Sequence, residues 1–350
     1  MKVFRIVFPL VLLAAFIAFP FVFTDPATTT VAVFTLFFAA AGVGWNIFSG
    51  YTGYIALGHA VYFGIGAYAM ALLCQDWNIQ PGYAPFFLLP LVGLIAAAFS
   101  VFFGWIALRT RRHTFVVITI ATFFIMQLMA YNLRAITNGS AGISLPIPFD
   151  WTADFFNIPF YFVALAILVL AFIASWWIHN SKYGLGLLAI RDDEDRALGL
   201  GVNTGPFKLI AFVISAFFVG MVGGLHAYFN SSIFPPFAFD ALFDVAIALM
   251  AFLGGLGTLY GPILGALILV PAQQYLTVQA GSSGYNLIMY GVIFLVIILL
   301  LPEGILPTIS KRWNKWRASR NRAEATPDIV TSPGAENSVA VESSGKGVEQ

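Results

Sequence analysis

The sequence predicts an all-α, polytopic bundle of about eight to ten membrane-spanning helices. Hydrophobic residues make up 60% of the 350 positions and charged ones only 9%, with a mean hydropathy of +0.88. Soluble chains carry about a quarter charged residues, and so apolar a chain would expose too much apolar surface in water. The few charges are segregated. Between Ile6 and Leu108 stand only Asp25 and Asp76, and between Leu209 and Pro302 only Asp240 and Asp244. Strict alternation of apolar and polar residues is missing, which argues against a membrane β-barrel. The net charge of +1 hides this segregation and is uninformative about partners.

A helix crosses about 30 Å of hydrocarbon with about 20 apolar residues. The first such stretch, near 6–24, follows Lys2 and Arg5 and closes on Phe19-Pro20-Phe21-Val22-Phe23. With no small-residue cleavage site, it is expected to be a retained signal-anchor span. Further spans are expected near 31–49, 54–74, 86–108, 115–133, 158–178, 209–229 and 284–301. The region 240–280 exceeds one span and is split by Gly254-Gly255-Leu256-Gly257 into segments near 240–254 and 260–279. Ten crossings result, or eight if that pair is a re-entrant hairpin. The expected division is a transmembrane domain over 1–305 and a basic, then polar, tail over 306–350.

Alternating sides from a cytoplasmic Lys2 and Arg5 puts sixteen of the 17 basic residues in the cytoplasm and only Arg134 outside. The positive-inside rule selects that orientation, with both termini inside. Eight and ten spans share parity, so charge does not choose between them. Residues 318–350 are polar and without apolar period, the composition of a disordered tail. Just before them, Lys311-Arg312-Trp313-Asn314-Lys315-Trp316-Arg317 suits an anchor on anionic lipid. The same pattern commonly ends a last span, so it is not read as a nucleic-acid site.

Three stretches carry more information. The first runs from Gly50 to Tyr68 and holds Gly50, Gly53, Gly58, His59, Gly64 and Gly66. Glycines there allow either close helix packing or local unwinding, and unwound backbone at membrane depth must be buried or line a cavity. Packing and a lining of a transport pathway through Gly50, Gly53, Gly58 and His59 both stay open, and His59 reads equally as a satisfied packing residue. The second is the 179–208 loop, dense in mixed charge: Arg191, Asp192, Asp193, Glu194, Asp195 and Arg196, then Leu198, Leu200, Gly201 and Val202. A short helix over 189–203 would present charges for register and a small apolar contact to a soluble partner; a solvated connector is the plainer alternative. The third runs from Gly254 to Ala266. Gly257, Gly261 and Gly265 share a face if the helix is continuous, a packing surface in lipid, whereas Pro262 argues for a helix starting near it.

Asp240 and Asp244 are acids inside a span and functional candidates on cost alone. Placed at the outer end of that span, Asp240 as N-cap and Asp244 near the helix dipole would explain them more plainly. The single cysteine, Cys74, excludes an internal disulfide, and no metal-ligand spacing is present, so no metal site is expected. No G-x-x-x-x-G-K-[ST] phosphate loop occurs, and no Ser/His/Asp or paired-carboxylate arrangement suggests catalysis.

Together the three stretches resemble the LivM-type permeases of branched-chain amino-acid ABC importers. Gly53-Tyr54-Ile55 and Leu57-Gly58-His59 are similar to that family's glycine-rich G-x-x-L-G-H segment. Ala189, Ile190, Arg191, Asp192 and Glu194, then Leu200, Gly201, Val202 and Asn203, are similar to its A-I-R-E-x-E…L-G-I-N loop, with departures at Asp195, Arg196, Leu198 and Gly199. Gly254 to Pro262 resembles its G-G-x-G-T-x-x-G-P motif. The likeness covers roughly 40–305.

The resemblance implies a bacterial inner-membrane subunit, not itself an enzyme, moving leucine, isoleucine or valine by alternating access. It implies a second homologous permease, two cytoplasmic ATPase subunits that hold the ATP, and an external (periplasmic) substrate-binding protein, with no cofactor bound by this chain. ATPase coupling would fall to Arg191, Asp192, Glu194, Asp195, Leu200 and Gly201. The same machinery carrying urea or short-chain amides is the near alternative. An ion-gradient-driven secondary transporter is the distant one. It would need ionisable residues deep in several spans, where only His59 and His226 come close.

Overall fold

The computed structural model describes residues 2–148, 151–280, 291, 292, 295, 304–309, 311 and 312. The chain divides into two compact units, Met1–Thr308 and Ile309–Gln350; every helix named below belongs to the first. The expected span at 284–301 and the tail at 318–350 lie outside the described residues but for 291, 292 and 295.

The fold is the expected helical one. In order, the helices are α1 (Lys2–Val22), α2 (Pro26–Trp45), α3 (His59–Asp76), α4 (Leu89–Ala107), α5 (Arg112–Asn132), α6 (Arg134–Thr137), α7 (Ala153–His179), α8 (Lys182–Asp192), α9 (Glu194–Gly199), α10 (Thr204–Asn230), α11 (Pro235–Ala238), α12 (Ala241–Gly254) and α13 (Gly261–Ala280). Six helical stretches among the described residues are long and apolar enough to cross a membrane. Local chemistry sets several of the ends. Asp25 caps α2 by accepting from the Thr28 N–H (2.9 Å), and Pro26 stands in the first turn, where its missing N–H costs nothing. Ser181 and Asp193 cap α8 and α9 in the same way.

The centre of the bundle is α10, packed between α3 and α4. Small residues make that possible. A side chain at Gly66 would strike the Gly220 carbonyl, one at Gly223 the Phe63 carbonyl, and one at Gly220 the Ala96 methyl. Backbones meet at van der Waals distance, which is how helices associate where lipid offers no hydrophobic drive. Around this core α2 packs on α7 and on the α12–α13 hairpin. At one end, β1 (Ile143–Ser144) and β2 (Ser232–Ile233) form a two-residue antiparallel pair tying the connector after α6 to the one after α10.

Two expectations are corrected. The span near 54–74 is not continuous: helix begins at His59, and residues 53–58 are irregular. The 240–280 region divides as expected, into α12 and α13 on either side of the glycine run; together with α11, the first of these forms the stretch Pro235–Gly254, long and apolar enough to cross a membrane. Finally, the single helix expected over 189–203 is two, α8 and α9, divided at Asp193.

Candidate functional site

The first half of the site is a break between α2 and α3. After Trp45 the helix widens into a π-turn, Asn46–Gly50, and Gly53 takes a φ of 71° that disfavours any side chain. Backbone freed in this way needs partners, and polar side chains supply them. The Trp45 indole donates to the Ala56 carbonyl (2.8 Å), the Ala56 N–H donates to Ser49 Oγ (3.3 Å), and the Leu57 N–H donates to Thr119 Oγ1 (3.3 Å). The first turn of α3 is capped from another helix: the His59 N–H donates to Asp244 Oδ1 (3.1 Å).

A second break separates α12 from α13, where Gly255 and Gly257 have φ of 120° and 75°. Asn46 ties the breaks together. Its Oδ1 accepts from the Gly257 N–H (2.9 Å) and its Nδ2 donates to the Thr258 carbonyl (3.0 Å).

The α8–α9 loop lies on this junction. Arg191 Nη1 donates to the Gly50 carbonyl (2.9 Å). A side chain at Gly53 or at Gly257 would run into Arg191. From α5, Arg112 Nη2 donates to the carbonyls of Ile190 and Arg191 (both 2.7 Å), holding the end of α8. Glu194 pairs with Lys208 (Nζ–Oε1 2.6 Å) and accepts from the Tyr54 hydroxyl, and Lys208 also donates to that hydroxyl (3.2 Å). Burial by itself would raise the Glu194 pKa; the bonds from Lys208 and Tyr54 and the Lys208 charge outweigh it, so its carboxyl sits below the usual range.

The expected site residues separate by position. Gly50, Gly53, Arg191, Glu194 and Gly257 come together at the junction. Asp192, Asp195, Leu198, Leu200 and Gly201 face out, with Leu200 85% exposed. Arg191 and Glu194, expected to face a partner, are turned into the chain. Gly201, expected to ease a partner's approach, has a φ of 87° and open space around it. It closes α9: its N–H donates to the Leu198 carbonyl and that of Val202 to the Ala197 carbonyl (both 3.0 Å), the bonds of a Schellman ending.

The glycine face is likewise divided. Gly257 lies in the break, while Gly261 opens α13 with Pro262 in its first turn, and Gly265 leaves no room beside the Met250 carbonyl of α12. Gly58 abuts the Thr119 backbone, and His59 is wholly buried, its Nε2 2.7 Å from Ser215 Oγ. Asp240 caps α12 as expected, accepting from the Leu242 N–H (2.9 Å). Asp244 stands in the first turn of α12, as expected, but it is buried and its carboxylate accepts from the His59 N–H, so it also caps α3.

Asn46, Tyr54, Arg112 and Lys208 were missed. The signals were present in part: Asn46 is a lone amide in an apolar stretch, and Lys208 the last base before a span. Their partners, though, are 14 to 212 residues away.

The fold and site define a helical bundle with several stretches able to cross a membrane, two helix breaks joined through Asn46, and a structured, charged loop resting on both. A family model described as branched-chain amino acid transport system / permease component matches residues 27–301, and the chain belongs to that family. It is 30% identical over 327 residues to the high-affinity branched-chain amino acid transport system permease protein LivM of Escherichia coli K12, covering 86% of this chain and 74% of that one. To LivH of the same strain it is 26% identical over 290 residues (78% and 93%). To the ribose import permease protein RbsC of that strain it is 26% identical over 220 residues (59% and 65%). No solved structure matches.

Proposed function

We propose that this chain is one of two homologous permease subunits of an ATP-driven ABC importer that takes up leucine, isoleucine and valine across the bacterial inner membrane. Both termini and the α8–α9 loop face the cytoplasm in this reading. Two ATPase subunits bind and hydrolyse the ATP, and an external binding protein delivers the solute. The observation that carries it is the α8–α9 loop: it rests on both helix breaks through Arg191 while exposing Asp192, Asp195, Leu198 and Leu200 on its other side. A subunit driven from outside itself needs such an arrangement. The cargo follows the relatives named for branched-chain amino acid transport. Gly50, Gly53, Gly58 and His59 belong to the hinge of the pathway, behind its wall rather than on it.

The test is uptake by the complex reconstituted with its binding protein. Leucine should accumulate only with ATP, unaffected by ionophores, and excess isoleucine or valine should compete while urea and ribose should not. Uptake driven by an ion gradient without ATP, or competition by urea or ribose alone, would replace this reading.

A further inference from the structure

Arg191 reaches both helix breaks. Its guanidinium donates to the Gly50 carbonyl at the end of the π-turn, its side chain fills the space beside Gly53, and it occupies the space a side chain at Gly257 would need. Two residues downstream of its helix, Glu194 grips the first turns of α10 through Lys208, which is only 3% exposed, and grips the irregular 53–58 segment through Tyr54. Arg112 fixes the same loop to the start of α5. The loop is therefore fastened inward at three places, and its exposed edge carries a separate set of residues.

We propose that Arg191 and Glu194 are positioning residues that transmit displacement of the α8–α9 loop to the two helix breaks, while Asp192, Asp195, Leu198 and Leu200 make the contact with the ATPase. This rests on the reading that an ATPase docks on this loop. The physical grounds are two. A guanidinium is a planar group whose donors keep a fixed geometry, so movement of α8 is passed on rather than absorbed. The backbone it holds is already outside the helical ladder, so the π-turn at 46–50 and the turn at 255–260 yield at less cost than a continuous helix would. Because Asn46 also bonds Gly257 and Thr258, α2 and α12 respond together. A neutral pair in place of Glu194 and Lys208 would leave no unpaired buried charge, yet would loosen the grip on α10.

The experiment uses the whole complex, purified through a tag on this chain and reconstituted with its binding protein. Two quantities are read: the ATPase subunit retained, and leucine taken up per ATP hydrolysed. Arg191→Ala and the double variant Glu194→Gln/Lys208→Met are expected to retain ATPase as the unaltered complex does and to lose about tenfold or more in leucine per ATP, within the usual range of coupling energies. Leu200→Asp is expected to lose the ATPase itself. If Arg191→Ala aggregates, Arg191→Lys keeps the charge, loses the fork and carries the same expectation. Loss of ATPase retention by the Arg191 variants, or wild-type leucine per ATP in either set, would overturn the proposal while leaving the importer reading intact. Leucine uptake by the unaltered complex without ATP hydrolysis would overturn both.

Discussion

Gly201 and Gly199 stand two residues apart at the end of α9, and the structure treats them differently. Both have open space where a side chain would go, but only Gly201 has a positive φ. Gly201→Ala should therefore destabilise by about 1 kcal/mol or more through backbone strain, whereas Gly199→Ala should be neutral or slightly stabilising, since alanine is the better helix former by up to ~1 kcal/mol. Thermal unfolding of the detergent-solubilised protein checks this, and equal effects would remove the Schellman account. Glu194 carries a pH dependence of definite sign. Its folded pKa is lowered, so the stability it contributes is present above the unfolded value and is lost as pH falls through the lowered folded one. The loop should thus stay docked below the ordinary glutamate range and release only under stronger acid. A fluorophore on the loop should report that transition shifted upward or abolished in Glu194→Gln, and an unshifted transition would assign it to another group.

At the scale of elements, the helix ends are held across the fold. Asp244 of α12 caps α3, and Arg112 of α5 holds the last carbonyls of α8. Asp244→Ala should cost about 1–2 kcal/mol, as cap removal does, and Asp244→Asn, which keeps an acceptor oxygen, should recover most of it. If Asn is as harmful as Ala on thermal unfolding, the acid does something other than cap. The small-residue contacts make a second claim. Gly265→Leu drives a side chain into the Met250 carbonyl and should prevent assembly of the α12–α13 hairpin, seen as loss of monodisperse protein on size exclusion. Legibility differed between these elements. The start of α13 was readable because Pro262 favours a first turn. Whether Gly257, Gly261 and Gly265 share a face stayed open, because spacing settles it only for a continuous helix; the positive φ at Gly257 interrupts that helix, while all three still lie close against backbone. The α3–α10 crossing through Gly66, Gly220 and Gly223 was not read at all, since nothing in a sequence says which two glycine faces meet.

At the scale of the molecule, Arg112, Arg191 and Lys208 gather at one end of the bundle, as a sided distribution of basic residues requires. Topology is testable on a quiet background, because Cys74 is buried. Cysteines at Lys182 and Asp195, both exposed on the loop, should resist a membrane-impermeant reagent in intact cells, and one at Asn78, exposed beyond the end of α3, should react. The opposite pattern would invert the orientation. The sequence by itself determined the helical class, the approximate bounds of most helices, the segregation of charge along the chain and the three family motifs. Those depend on hydropathy and on residues within a few positions of one another. Only the tertiary structure decided that the motifs form one junction, that Arg191 and Glu194 point inward while Leu198 and Leu200 point out, and that Asp244 serves a helix other than its own. Each is a contact between residues far apart in the chain, and its direction depends on how helices rotate and cross when backbone polar groups freed at the breaks must find partners inside the protein.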